Sequence, residues 1–213
     1  MQTNSKRGLA LGAALAGAAA LAGGAYYYLR ERSAPEPDYR TWETHGDFEI
    51  RAYPALIVAE TIVEGARGEA LQRGFRRLAS YLKRATRTGH PIEMTAPVLQ
   101  DGGDPMASQP PLFDDAMEGA WRTRFVMPAG RSRLDLPNPP PEVSLVDMAE
   151  RRVAVVRFSG SMADAHLSAE EDRLRGWLAR RGHDLDAAAE YAFYNSPMIP
   201  APLRRLELWI PLS

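Results

Sequence analysis

Residues 67–87 hold seven basic side chains, Arg67, Arg73, Arg76, Arg77, Lys83, Arg84 and Arg87, against one acid, Glu69. The chain as a whole has a formal net charge of −1, so this is a local excess and not a molecule-wide field. Arg76 and Lys83 lie two helical turns apart and share a face that Phe75 borders. Such a face can receive an anion through charge-assisted hydrogen bonds beside an aromatic ring. The competing reading is a solvated helix face.

Other reactive residue types point away from catalysis. His45 and His90 fall in expected loops just before strands, His166 precedes the second expected helix and His183 follows it. None has an apolar setting, so each reads as a surface histidine. Met94, Met127 and Met198 lie in strand motifs, where methionine commonly fills core gaps. Met198 follows a strand-breaking proline and is the least ordinary of the three. The carboxylate pairs Asp114-Asp115 and Glu170-Glu171 fall in a loop and a helix cap, as solvated or capping groups. No nucleophile elbow, Walker loop, H-E-x-x-H or G-x-G-x-x-G occurs. The expectation is therefore a binding protein without a catalytic site. With no cysteine, disulfides, thiolate metal sites and cofactors attached through C-x-x-C-H are excluded. The near-neutral charge gives no field that would gather nucleic acid.

Lys6 and Arg7 precede an uncharged run from Gly8 to Leu29. As a helix its 22 residues would reach roughly 33 Å, enough to cross a bilayer core. Two readings compete. One is a retained anchor, with Tyr26, Tyr27 and Tyr28 as an interfacial belt. The other is a cleaved signal segment ending near Gly23-Gly24-Ala25. Residues 1–40 are thus expected to be an anchor or signal plus linker, with a domain at 41–213 on the far side of the membrane from the cytoplasm.

The elements that must position these groups follow from periodicity. Phe48, Ile50 and Ala52 alternate with Glu49, Arg51 and Tyr53, predicting a strand that Pro54 ends, and 56–63 resumes as another. Leu71, Phe75, Leu78 and Leu82 recur at three and four, predicting a helix over 67–87 with Gly89 as its stop. Strands are expected at 92–98 and 121–128, then a stiff proline-rich connector over 129–142. The order then repeats: a strand at 151–160, a helix from Ser168 to about Arg181 opened by a Ser168/Glu171 capping box, and strands at 192–198 and 203–212. Arg73-Gly74-Phe75 mirrors Arg175-Gly176-Trp177, Thr95-Ala96-Pro97 mirrors Asn195-Ser196-Pro197, and Met127-Pro128 mirrors Ile210-Pro211. Both mid-helix glycines would let a helix approach the sheet closely. The fold expected is α+β, a closed or nearly closed antiparallel sheet flanked by two helices, from two β-α-β-β halves related by a pseudo-twofold.

FEIRAY (48–53), GFRRLASYL (74–82), IEMTAPV (92–98), RFVMP (124–128), VAVVRFSG (153–160) and YNSPMIPAPLRRLELWIPL (194–212) together resemble the SOUL/haem-binding-protein family. The resemblance implies a distorted antiparallel β-barrel flanked by two helices. It also implies reversible, non-covalent binding of haem or a related tetrapyrrole. Another flat amphipathic ligand bound without reading iron is the alternative. In some vertebrate relatives a histidine lies between the Arg and Tyr of the first motif; Ala52 stands there in this chain. Basic residues placed near the porphyrin in relatives correspond to Gln72, Ser80 and Ile199. The combined expectation is a tetrapyrrole on the outer side of the first helix, near Phe75, Arg76 and Lys83. The Asn195–Ile199 turn, with Met198 and Ile199, would form the other wall. Metal ligation is left open.

Overall fold

The computed structural model describes residues 24, 26–87, 89, 91–102 and 119–213. Its strands are β1 (Arg40–His45), β2 (Phe48–Tyr53), β3 (Leu56–Gly65), β4 (Val98–Gly102), β5 (Gly119–Val126), β6 (Ser144–Met148), β7 (Arg151–Phe158), β8 (Glu190–Phe193) and β9 (Leu206–Leu212). Helix α1 (Arg67–Arg87) follows β3 and helix α2 (Asp164–Ala179) follows β7. Residues 35–213 form one compact unit; residues 26–32 are helical and belong to a separate unit ending at Ala34. Among the described residues no helix is long and apolar enough to cross a membrane. Most of the 8–29 run lies outside the described residues.

The strands form one antiparallel sheet in the order β1-β2-β7-β9-β8-β4-β5-β3-β6. That order reads as a mirror about the β8/β4 pair. Each β-α-β-β unit (β3-α1-β4-β5 and β7-α2-β8-β9) contributes three adjacent strands. The strand that leads into each unit pairs with the other one: β2 lies on β7 and β6 lies on β3. The expected duplication is therefore present in the topology, and the halves interlock by exchanging a strand. A closed barrel is not confirmed: among the described residues the sheet has two ends, β1 and β6, and no hydrogen bonds join them. The sequence reading contained neither end strand. β1 is mostly exposed and its residues lack apolar alternation, so it carries no period-two signal.

Alternation along β9 directs Leu206, Leu208 and Ile210 to the helical side of the sheet and Glu207 and Trp209 to the other. The helices cover two apolar clusters. Leu167, Leu174, Trp177 and Leu178 of α2 pack with Ile50, Ala154, Leu206 and Leu208. Leu78, Tyr81, Leu82 and Ala85 of α1 pack with Ala59, Phe125 and Met127. Val98 borders both clusters.

Several local expectations are corrected. Residues 92–97 are not a strand. Pro97 has no N–H for the ladder and β4 begins only after it; Thr95 Oγ1 donates to Val126 O at 2.6 Å, and the Ala96–Pro97 peptide is cis. β8 likewise ends at Phe193, before Asn195 and Pro197. Pro97 precedes β4 whereas Pro197 follows β8, so the two are not equivalent positions of the repeat. Helix α2 starts at Asp164 with Ala163 as its cap, so the Ser168/Glu171 capping box is absent and His166 lies inside the helix. Gly74 behaves as expected: a Cβ there would meet Thr123 Oγ1 at 2.5 Å. Gly176 does not, since its Cβ would meet only Arg180 Nη1 at 3.6 Å.

Candidate functional site

The basic residues of α1 divide by what they touch. Arg67 is buried, ion-pairs with Asp164 at the start of α2 and donates to Met162 O at 2.6 Å. Arg73 donates to Glu64 O, and Arg77 donates to Ile62 O at 3.1 Å. These three hold backbone in place, so the excess open to a ligand is smaller than the sequence count. Arg76, Lys83, Arg84 and Arg87 are exposed.

Phe75 stands on the α1 flank nearer the sheet centre. It is 38 % exposed and meets Phe125 edge-on at 5.3 Å. Phe125 pairs with Val98, Val98 with Phe193 and Phe193 with Leu206, forming one cross-strand apolar row. β8 leaves this row at Phe193 and runs through Tyr194 into the 195–199 turn. Two groups hold the turn. Asn195 Oδ1 accepts from Arg205 N at 2.7 Å, and Arg204 donates to Ile199 O at 2.6 Å and Pro197 O at 2.7 Å. Met198 is 81 % exposed, whereas Ile199 is buried. Among the described residues no hydrogen bond, ion pair or ring contact joins Phe75, Arg76 or Lys83 to Met198 or Ile199.

The other candidates fall out as follows. His45 is exposed at the end of β1; His166 stacks edge-on with Phe158 at 5.5 Å, its Nε2 3.3 Å from Ser159 O; His183 lies in the segment after α2; His90 is outside the described residues. Met127 is core and Met94 is partly exposed. Glu170 and Glu171 are buried, contrary to expectation. Glu170 pairs with Arg173, while Glu171 pairs with Arg175 at 2.7 Å and accepts from Tyr191 OH at 3.2 Å. Asp114-Asp115 are outside the described residues.

The sequence reading missed the buried charges on the face opposite the helices. Arg51 and Glu207 form a two-point ion pair at 2.8 and 3.2 Å. Glu207 also accepts from Tyr194 OH and Trp209 Nε1, both at 2.9 Å, and from Arg157 and Arg205. Burial alone would raise the Glu207 carboxyl; Arg51 and the other donors overcome this and hold it at about 2. A second node joins Asp101 to Arg122 and Arg124 at 3.0 and 3.1 Å, and Glu190 to Arg151 at 2.6 Å. Burial raises Asp101, with Arg124 opposing it. Glu190 is lowered: against its burial, the Arg151 hydrogen bonds prevail. These acids are matched by arginines, which suits architecture better than proton transfer.

The family model for SOUL haem-binding proteins matches residues 34–211, which takes in both labelled helices and all of the sheet but its last residue, Leu212. The chain belongs to the SOUL haem-binding protein family. Its motif residues now have structural roles: Arg51 of FEIRAY meets Glu207 of LELWIPL, and Thr95 of the Met-Thr-Ala-Pro run anchors the entry to β4. Among solved structures, this SOUL chain is similar to the EcmrR C-terminal domain (TM-score 0.55, 11% identity, covering 82% of this chain and 98% of that one). It is also similar to a hydrolase encoded by lin2189 from Listeria innocua (TM-score 0.56, 15% identity, covering 86% and 96%). At these identities the likeness is one of fold. No curated protein matches.

Proposed function

We propose that the protein binds haem or a related tetrapyrrole reversibly on the outer flank of α1. Phe75 and the 195–199 turn would supply its apolar contacts, and Arg76 and Lys83 would face its carboxylates. The observation that carries this reading is the SOUL match over residues 34–211, supported by the part-exposed Phe75 beside two exposed cations. An exposed aromatic suits a flat macrocycle, and flanking cations suit its propionates. Met198 is the accessible methionine of the turn; the three described histidines sit away from the Phe75 row in sequence and element. The role is buffering, carriage or sensing and not catalysis. A location at the cell envelope, with the globular part across the membrane from the cytoplasm, rests on the uncharged 8–29 stretch alone.

The test is an absorbance titration of the full chain with hemin and, in parallel, with metal-free protoporphyrin. Saturable binding of hemin is expected. Equal binding of both would mean that iron is not read, favouring the alternative of a general site for flat amphipathic molecules. Failure of both ligands to bind would sink the proposal.

A further inference from the structure

The α1 flank opposite Phe75 forms a different surface. Helical periodicity gathers Leu71, Phe75 and Ala79 on one side and Arg73, Arg77, Ser80 and Arg84 on the other. Between that second side and the connector at 137–142 lies a groove of about 300 Å³. Arg73, Arg76, Arg77 and Arg84 line it, and its one acid is Glu142. Glu142 is exposed and forms no ion pair within 4 Å among the described residues.

Side-chain bonds to backbone hold both walls. Tyr81 OH donates to Pro137 O at 2.8 Å, tying the connector to the helix. Thr61 Oγ1 donates to Glu142 O at 2.7 Å, tying the same connector to β3. Arg73 and Arg77, bonded to Glu64 O and Ile62 O, are fixed in direction. The proline-rich connector thus acts as a wall and not only as a spacer.

We propose that this groove binds a compact, multiply charged anion of the diphosphate class. Arg73, Arg76 and Arg77 form no ion pair among the described residues, and against the one carboxylate of Glu142 they leave a positive excess that a single negative charge would not offset. Guanidinium groups present forked donors that match phosphate oxygens in pairs. A volume of about 300 Å³ is at the small end of ligand sites, sized for a head group and not for a macrocycle. Walls already held by backbone bonds lose little freedom when the anion arrives. The site goes beyond the tetrapyrrole reading: Phe75 lies on the other flank and Arg76 borders both surfaces, so Arg73, Arg77 and Arg84 are what distinguish the groove.

The probe is inorganic pyrophosphate, titrated calorimetrically into the full chain at fixed ionic strength. One site per chain is expected. Arg84→Gln should weaken it at least tenfold, and Ser80→Phe, which fills the groove without changing charge, should abolish it. Glu142→Gln should tighten binding severalfold. Arg87→Gln removes the same charge from the same helix outside the groove and should change affinity less than threefold. Absence of saturable binding would overturn the site. So would an Arg87→Gln loss as large as that of Arg84→Gln, which would mark a diffuse surface field. Loss of hemin binding in Ser80→Phe as complete as its loss of pyrophosphate binding would also overturn it, since the groove would then be part of the tetrapyrrole site. A chain that binds pyrophosphate but not hemin would sink the tetrapyrrole proposal alone.

Discussion

Arg51 Nη1 lies 2.8 Å from Glu207 Oε2, and neither side chain has any exposed surface. The two residues sit 156 positions apart, on β2 and β9, with β7 between them. Glu49 Oε2 accepts a hydrogen bond from Arg51 Nε at 2.7 Å, and Tyr39 lies 4.4 Å beneath the guanidinium. The pair therefore joins the exchanged strand of one half to the last strand of the other. It is surrounded by donors enough to compensate its burial.

Breaking this pair from one side should be costly. Glu207→Gln or Arg51→Met leaves a charge buried without its partner, at a cost of about 3–5 kcal/mol. The double variant Arg51→Met/Glu207→Leu should recover part of that loss. Urea unfolding of the three variants checks this; a double variant less stable than the sum of the two singles would contradict it.

The same carboxylate gives a pH dependence. Glu207 is depressed to about 2 from an ordinary 4.5, so its contribution is fully present above about pH 4.5. It is lost as pH falls through 2, a tenfold change in proton affinity being worth about 1.4 kcal/mol. Stability measured from pH 6 to pH 2 should fall more steeply for the native chain than for Arg51→Met/Glu207→Leu. Parallel curves would show that other acids dominate.

The two mid-helix glycines should respond oppositely to alanine. Gly74→Ala forces a methyl against Thr123 and should destabilise by about 1–3 kcal/mol. Gly176→Ala has room and should be neutral or stabilising by up to about 1 kcal/mol, from helix propensity. Equal melting temperatures for the two variants would refute the close helix–sheet contact at Gly74.

Hemin affinity should depend on the cations of α1 more than on the described histidines. Arg76 and Lys83 are both exposed, so each contributes under about 1 kcal/mol, and losing both weakens binding by roughly thirtyfold at most. Alanine at His45, His166 or His183 should leave affinity and absorbance band nearly unchanged. If one of these removes a ligated-haem spectrum while the Arg76/Lys83 double variant binds normally, the site is elsewhere and histidine-ligated.

The 8–29 stretch predicts that the full chain sediments with membranes and resists alkaline extraction. Recovery of a soluble form beginning near Tyr26 would favour signal cleavage instead.

Periodicity alone located most of the elements. α1 was legible to the residue, because its apolar stripe repeats at three and four and Gly89, at φ +84°, ends it. β2 was equally legible from FEIRAY, and the repeat of strand and helix order foretold the mirrored topology. The motifs also sufficed to name the family. Alternation, however, states only that a strand has two unlike faces. It does not say whether water or protein meets the polar one. Glu49, Arg51 and Glu207 stand on that polar face, and Arg51 and Glu207 are fully buried. Strand pairing placed their partners, together with Tyr39 and Tyr53, from distant parts of the chain. Two further matters were decided by tertiary contacts. Similar sequence around Gly74 and Gly176 gave no hint that only Gly74 touches the sheet. A proline-rich connector became a groove wall only because Tyr81 and Thr61, 20 positions apart, both hydrogen-bond to it. Local pattern sets the element and its faces; what covers each face is decided by contacts between residues far apart in sequence.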